Sequence, residues 1–547
     1  MRSSRDLNGA CIQASSSFAF GCSFGLIRDE LDKMSSLGRS LAMNFSGQLV
    51  ARVFSFGINM YLLRVVNNDV LGLVNVRLSL LYNTILFLTR EPMRKANILR
   101  TSLPCFVNVV WLSPIISAAL SVLCTAFWIT FSSSHDVPLR VVLAFPLSAV
   151  IESLAEPFAV ISLRFSLSGH FAIAQSLLIS LQRMFVLLLI LTTSTDHLDV
   201  FAYAQVLSSA VYLVFHYLAF LHYSRSSMPE LAHFSGFRSF FPQPSRGVDR
   251  ESLLAVGTLF CHSILKQLMT DGSAYIMTFT ELLSLKSQAV YDAVEKVGSL
   301  VARIVLAPLE EMCFAYFSNT FNQNSKVFNK STDTHESLVQ NFSIVLHVAC
   351  VTGLVVSIFG VPYSPLAVFI YGGHLLYDNG GGTLLSLYCV YLSVLAVNGI
   401  TECFAMATMS NVQVFSHGGF LLVSAVAHLV STFALCTYMS AAGFIVANAI
   451  NMLFRIGYSW RHIYGFLGNR TPSVASMLPT FSTVVFLIFA LIATLFTSLV
   501  FGSTPGLSHT VTHVSVGGVL FVLVVAHIIS TDHVFQILTH RLQKYAN

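Results

Sequence analysis

Apolar runs of membrane length follow one another along most of this chain, separated by short polar breaks. They fall at about 41–63, 71–90, 105–131, 138–164, 170–193, 199–222, 253–279, 286–316, 337–360, 383–409, 414–438, 440–459, 476–501 and 514–536. Each is close to the ~20 residues a helix needs to cross hydrocarbon. The pattern predicts an all-α polytopic membrane protein with about fourteen transmembrane helices, since barrel strands would alternate in shorter stretches. A shorter apolar segment, Ser364 to Gly373, reads as re-entrant or interfacial. The longest polar loop, His222 to Glu251, follows the sixth window and reads as a hinge. The expected organisation is a Ser-rich cytosolic tail (1–40), a six-helix lobe (41–222), a cytosolic inter-lobe loop (223–252), a second six-helix lobe (253–460), and a final helix pair with a cytosolic C-terminus (461–547).

Composition agrees. The 547 residues are 55% hydrophobic and only 10% charged, with mean hydropathy +0.72, against about 25% charged residues in soluble domains. Residues 1–38 hold Arg28, Asp29, Glu30, Asp32 and Lys33 where a signal peptide would be apolar, and read as a loosely ordered tail. Ten cysteines are scattered with no CxxC pair, which fits buried thiols better than a disulfide framework.

Charge placement fixes an orientation. With a cytosolic N-terminus, the cytosolic side collects Arg90, Arg94, Lys95, Arg100, Arg225, Arg238, Arg246, Arg250, Arg461, Arg470, Arg541 and Lys544 among others. The opposite side keeps Arg64, Arg140 and Lys286. Both termini are then cytosolic. The sequons at Asn329 and Asn469 also fall on the cytosolic side, where they should stay bare. Arg90, Glu91 and Arg94 read as a cytosolic anchor at the headgroups.

Some charges remain inside spans: Arg52, Arg77, Arg183, Lys266, Lys296, Arg303 and Arg455, with Glu152, Glu156, Asp271, Asp292, Glu295, Glu310 and Glu402. Each costs about 2.5–3.5 kcal/mol at a helix centre unless it is paired or faces a wet cavity. In the eighth span Asp292, Lys296, Ser299, Arg303 and Glu310 recur at helical spacing as one polar seam, with a kink expected at Pro308. The seam is either an internal ion-pair ladder or a binding surface for an anionic substrate group, and the two are compatible if the pairs open. Glu152 and Glu156 lie one turn apart and repel. A structural pair with a cation such as Arg183 is favoured for them over proton coupling. Lys266, Gln267, Thr270 and Asp271 precede Gly272 in a segment that reads as a bent gate or binding site. His509 and His513 lack a third ligand, so no metal is expected. No phosphate loop, catalytic triad or HExxH motif is present, and neither an enzyme, a cofactor nor a nucleic-acid partner is expected.

An ordered set of motifs carries a resemblance. It begins with Arg52, Asn59 and Arg64, then Val74-Asn75-Val76-Arg77-Leu78, Leu81-Tyr82, Leu86-Phe87-Leu88 and Arg90-Glu91. It continues through Leu154-Ala155-Glu156-Pro157-Phe158, Leu265-Lys266-Gln267, Val290-Tyr291-Asp292, Gly298-Ser299-Leu300-Val301-Ala302-Arg303, Ile370-Tyr371-Gly372-Gly373, Asn398-Gly399 and Thr401-Glu402-Cys403-Phe404. In this order, across about 41–458, the chain resembles the eukaryotic Rft-type oligosaccharide translocation family. The resemblance implies a fold like the multidrug/oligosaccharidyl-lipid/polysaccharide exporters, two six-helix lobes plus two helices. It also implies a multi-pass protein of the endoplasmic reticulum membrane, acting in N-linked glycosylation. The expected function is a flippase carrying dolichol-pyrophosphate-linked oligosaccharide, the five-mannose, two-N-acetylglucosamine intermediate, from cytosol to lumen. The alternative is a non-translocating accessory protein that binds the glycolipid or its assembly enzymes. A cationic cavity between the lobes would replace water around the pyrophosphate. Its candidates are Arg52, Arg77, Lys266, Lys296 and Arg303, supported by Glu156, Asp292, Ser299, Glu310 and Glu402, while the dolichol tail stays in membrane lipid.

Overall fold

A computed structural model describes residues 54–537, apart from 100–102, 133–136, 166, 227, 244–246, 249, 325–331, 474–476 and 502–506. The tail 1–40, Arg52 and the Asn329 sequon therefore lie outside the described residues. Within them the chain is helical, and ten helices are long and apolar enough to cross a membrane, or eleven if one bent pair counts as a span. Helices at 286–316 and 440–459 also form, as Leu285–Val301 running on to Asn324 and as Ala442–Leu467, but they carry too many polar residues to qualify by composition. Large apolar side chains face outward, among them Phe415 at 86% and Leu499 at 76% exposure, as lipid-facing helices require.

The chain divides into two compact units. The first holds residues 54–59, 85–125 and 138–263. Here α1 (Leu139–Ser153) and α2 (Glu156–Arg164) form the bent pair, at 42°. Pro157 explains the break: it has no N–H to continue the first helix but suits the start of a second. Both pack on α4 (His197–Arg225), as does α3 (Ser168–Thr192).

The expected polar hinge loop is instead docked on this unit. Leu231 and Phe240 enter one core with Phe106, Phe158 and Phe220. Trp111 Nε1 donates to the Phe240 carbonyl at 2.7 Å. The Asn108 amide donates to the carbonyls of Gln243 and Gly247 and accepts from the Gln243 N–H, all within 2.8 Å.

The second unit holds Met60–Thr84, Ala126–Val137 and the chain from Ile264 onward. Its longest element, α5 (Thr332–Tyr377), is interrupted by non-helical Gly373 at φ 66°. The expected re-entrant segment Ser364 to Gly373 continues this helix instead. Pro365 lacks the N–H that would bond the Val361 carbonyl, and the Ser386 hydroxyl donates to that carbonyl at 3.1 Å, the kind of rescue that lets proline persist in a buried helix. α5 pairs with α6 (Gly381–Thr408) through close approaches at Gly353 and Gly360, where a Cβ would meet Ser393 and Cys389. The final helices, α7 (Phe481–Phe501) and α8 (Leu507–Thr531), dock on α5 through Val351, Leu487, Ala490, Val524 and Ile528. A buried His347–Asp532 contact of 3.0 Å adds to that junction.

Candidate functional site

In the first unit, four charges from two segments neutralise one another. Arg90 and Arg94 lie on α9 (Ser79–Leu99), and Glu152 and Glu156 flank the α1–α2 break. Arg90 donates to Glu152 at 2.8 Å and to Glu156 at 3.1 Å; Arg94 holds both Glu156 oxygens at 2.5 and 2.9 Å. Ser209 donates to Glu152 at 2.8 Å. Both carboxylates are fully buried, so each needs such a partner. This corrects one expectation and fills in another. Arg90 and Arg94 turn inward rather than to headgroups, and they supply cations that relieve the Glu152–Glu156 repulsion. Glu91 instead pairs with Lys95 at 2.8 Å, nearer the surface. Glu156 is thus part of a structural lock.

The remaining described candidates lie in the second unit. Arg77 occupies a six-residue π-turn, Leu73–Leu78, and is 5% exposed. Its Nε donates to Gln288 Oε1 at 3.1 Å, and the Gln288 amide donates to the carbonyls of Met277 and Leu283. Gly72 permits this packing, since a Cβ there would lie 2.0 Å from the Leu285 carbonyl oxygen. Arg77 is therefore a packing cation, withdrawn from the expected binding set.

The eighth-span seam is only partly continuous. On α10 (Leu285–Val301) Lys296 Nζ pairs with Asp292 at 2.6 Å, and Ser299 is buried with its hydroxyl turned to the Lys296 carbonyl. A five-residue π-turn, Ala302–Leu306, then precedes α11 (Ala307–Asn324). Pro308 removes the N–H that would bond the Ile304 carbonyl, which favours such a turn there. The wider turn shifts helical phase, so residues beyond it leave the stripe. Arg303, within the turn, is exposed and has no hydrogen bond or ion pair among the described residues. Glu310 turns onto Gly399, where a Cβ would lie 1.8 Å from its carboxylate oxygen.

The seventh span breaks at Asp271, between α12 (Arg250–Thr270) and α13 (Gly272–Phe279). Gln267 donates to Asp271 at 2.7 Å, and Thr84 and Tyr275 share a 2.8 Å hydrogen bond. Lys266 is exposed on α12.

Sequence reasoning named Glu402 and Arg455 but did not join them. Arg455, on α14 (Ala442–Leu467), donates to both Glu402 oxygens at 2.7 and 2.6 Å. Asn398 donates to Glu402 at 3.2 Å. His417, on α15 (Asn411–Met439), approaches Glu402 to 3.6 Å. It was missed entirely, because a lone histidine in an apolar run carries no spacing signal. Among the described residues no group of three or more His, Cys, Asp or Glu side chains is placed to hold a metal ion.

These helices define a multi-pass membrane protein with a transporter fold. It is similar to an inward-facing multidrug resistance MATE family transporter of the MOP superfamily, at TM-score 0.58 and 14% identity over 77% of this chain and 96% of that one. It is also similar to the inward closed lipid II flippase MurJ, at TM-score 0.50 and 9% identity over 89% and 99%. Residues 36–541 match the model of the Rft protein family, and the chain belongs to that family. Over 517 residues it is 56% identical to the Caenorhabditis elegans protein named Man(5)GlcNAc(2)-PP-dolichol translocation protein RFT1, covering 93% of this chain and 99% of that one. The Mus musculus protein of the same name is 32% identical over 447 residues, 78% and 82% of the two chains.

Proposed function

We propose that this protein carries dolichol-pyrophosphate-linked oligosaccharide across the endoplasmic reticulum membrane, from cytosol to lumen, in N-linked glycosylation, with both its termini cytosolic. The cargo is the five-mannose, two-N-acetylglucosamine intermediate for which its relatives are named. The observation that carries the reading is Arg303. An exposed guanidinium with no ion pair among the described residues, in the π-turn of a bilayer-length helix, is costly unless an anion uses it. Its planar fork suits bidentate contact with pyrophosphate oxygens. Lys266 is an exposed cation of the seventh span that can join it, and Lys296 can contribute if its pair with Asp292 opens. Arg52 is the further candidate in the first span. The dolichol chain stays in lipid, so only the polar headgroup needs the protein.

One observation favours the accessory reading, in which the glycolipid or its enzymes are bound but not moved. Arg77, Arg90, Arg94, Lys296 and Arg455 already have intramolecular partners, which leaves a small cationic surface for a carried pyrophosphate.

Binding of dolichol-pyrophosphate oligosaccharide to the purified protein tests the role of Arg303. Arg303→Ala should weaken binding about tenfold or more, equivalent to about 1.4 kcal/mol, and Arg303→Lys should recover part of it. Unchanged affinity in Arg303→Ala would remove Arg303 from the site.

A further inference from the structure

A second cluster of charges, apart from Arg303, has features of a ligand site rather than of a closed salt bridge. Four helices of the second unit build it. α6 supplies Asn398 and Glu402, α14 supplies Arg455, α15 supplies His417, and α11 supplies Glu310 against Gly399. Arg455 binds Glu402 with one nitrogen, Nη2, while its Nε is buried without a hydrogen-bond partner. His417 is 2% exposed, and both its ring nitrogens lack a hydrogen-bond partner among the described residues. Its Nε2 faces Glu402 Oε1 at 3.6 Å. Tyr458 and Phe420 wall the imidazole, with the Tyr458 ring centroid 5.2 Å away and the two walls stacked at 4.0 Å.

The charge count is one short of balance. Glu310 and Glu402 set two carboxyl groups against the single Arg455 guanidinium, and with both ionised the cluster carries one surplus negative charge. A surplus charge at bilayer depth is penalised, and one added proton removes it. The other titratable neighbours do not restore the balance. Glu311, which acts on Glu310, is exposed. Cys313 and Cys403 are thiols beside Glu310. His462, which acts on His417, has its Nε2 3.1 Å from the Thr408 hydroxyl. Tyr391, which acts on Arg455, and Tyr458 are phenols.

We propose that His417, Glu402, Arg455 and Glu310 form an intramembrane proton-binding site, in which His417 accepts one proton on the nitrogen facing Glu402. The proton comes from solvent water, and the resulting imidazolium bonds to the carboxylate across the present 3.6 Å gap. Glu402 then bridges two cations, joining α6, α14 and α15 more tightly than in the unprotonated state. The site is independent of the cargo.

The test is a titration of full-length protein in lipid nanodiscs, with nitrogen-labelled histidine followed by NMR from about pH 8 to about pH 5, across the ordinary histidine range. The His417 signal is assigned by its loss in His417→Gln. Glu402→Gln should lower the proton affinity of His417 tenfold or more. The double variant Glu402→Gln/Arg455→Gln, which removes both members of the ion pair together, should lower it as well. An unchanged affinity in either folded variant would overturn the proposal. So would displacement of the His417 proton by sodium or potassium chloride but not by choline chloride, which would make this a metal-cation site.

Discussion

Two arginines in two π-turns show what position within a membrane protein does to one side chain. Arg77 is sealed against Gln288, and Arg303 is exposed with no hydrogen bond or ion pair among the described residues. Nothing local in the sequence separates them, because the partner of Arg77 lies 211 residues away. The same holds for Arg90 and Arg94, whose carboxylates are 62 and 66 residues distant. Hydropathy marks which charges sit at membrane depth, and three-dimensional packing decides which are already neutralised. Stability should report that difference. Glu156→Gln leaves Arg90 and Arg94 short of a buried counter-charge and should destabilise the protein by about 3–5 kcal/mol, seen as a large fall in thermal unfolding midpoint in detergent. Arg303→Ala, which breaks no pair, should leave that midpoint nearly unchanged. Equal losses in the two variants would contradict the assignment of Glu156 to a lock and of Arg303 to a site.

At the scale of elements, the apolar windows were readable because each helix buries or exposes a long run, and ten helices among the described residues are long and apolar enough to span. The break before Gly272 was readable, whereas the one at Pro157 lay inside a window read as a single span. Three features were hidden. The π-turn at Ala302–Leu306 alters phase without altering composition, so a seam that is periodic in sequence is interrupted in space. The short segment Ser364 to Gly373 read as re-entrant or interfacial, yet α5 runs through Pro362 and Pro365, and Ser386 takes up a freed carbonyl. The loop after α4 looked polar because Phe234, Phe237, Phe240 and Phe241 are interspersed with polar residues and form no run, although they pack on the core around Phe158. Close helix approach was legible only as glycine in the motifs. Gly72→Ala forces a methyl against the Leu285 backbone and should cost about 1–3 kcal/mol. Gly257→Ala, with nothing within 4 Å of the new carbon, should gain up to about 1 kcal/mol. Matched unfolding midpoints for the two variants would contradict the packing at Gly72.

At the scale of the whole molecule, the motif order from Arg64 to Glu402 carried family membership, and the fold agrees with it. The chain uses much of its intramembrane charge to hold itself together: the lock of Arg90 and Arg94, the Arg77–Gln288 bond, and the Glu402–Arg455 pair. In the proposed function, the cargo's pyrophosphate contacts are few and centred on Arg303. A carrier of this kind does not need a broad basic surface, because a pyrophosphate presents only a few oxygens and the polyprenyl chain stays in lipid. The most direct measurement places purified protein in lipid vesicles containing the dolichol-linked heptasaccharide and follows its transbilayer movement. The wild-type protein should accelerate movement over protein-free vesicles, and Arg303→Ala should lose about tenfold or more of that acceleration. Movement no faster than in protein-free vesicles, with glycolipid binding intact, would contradict translocation and leave the accessory role.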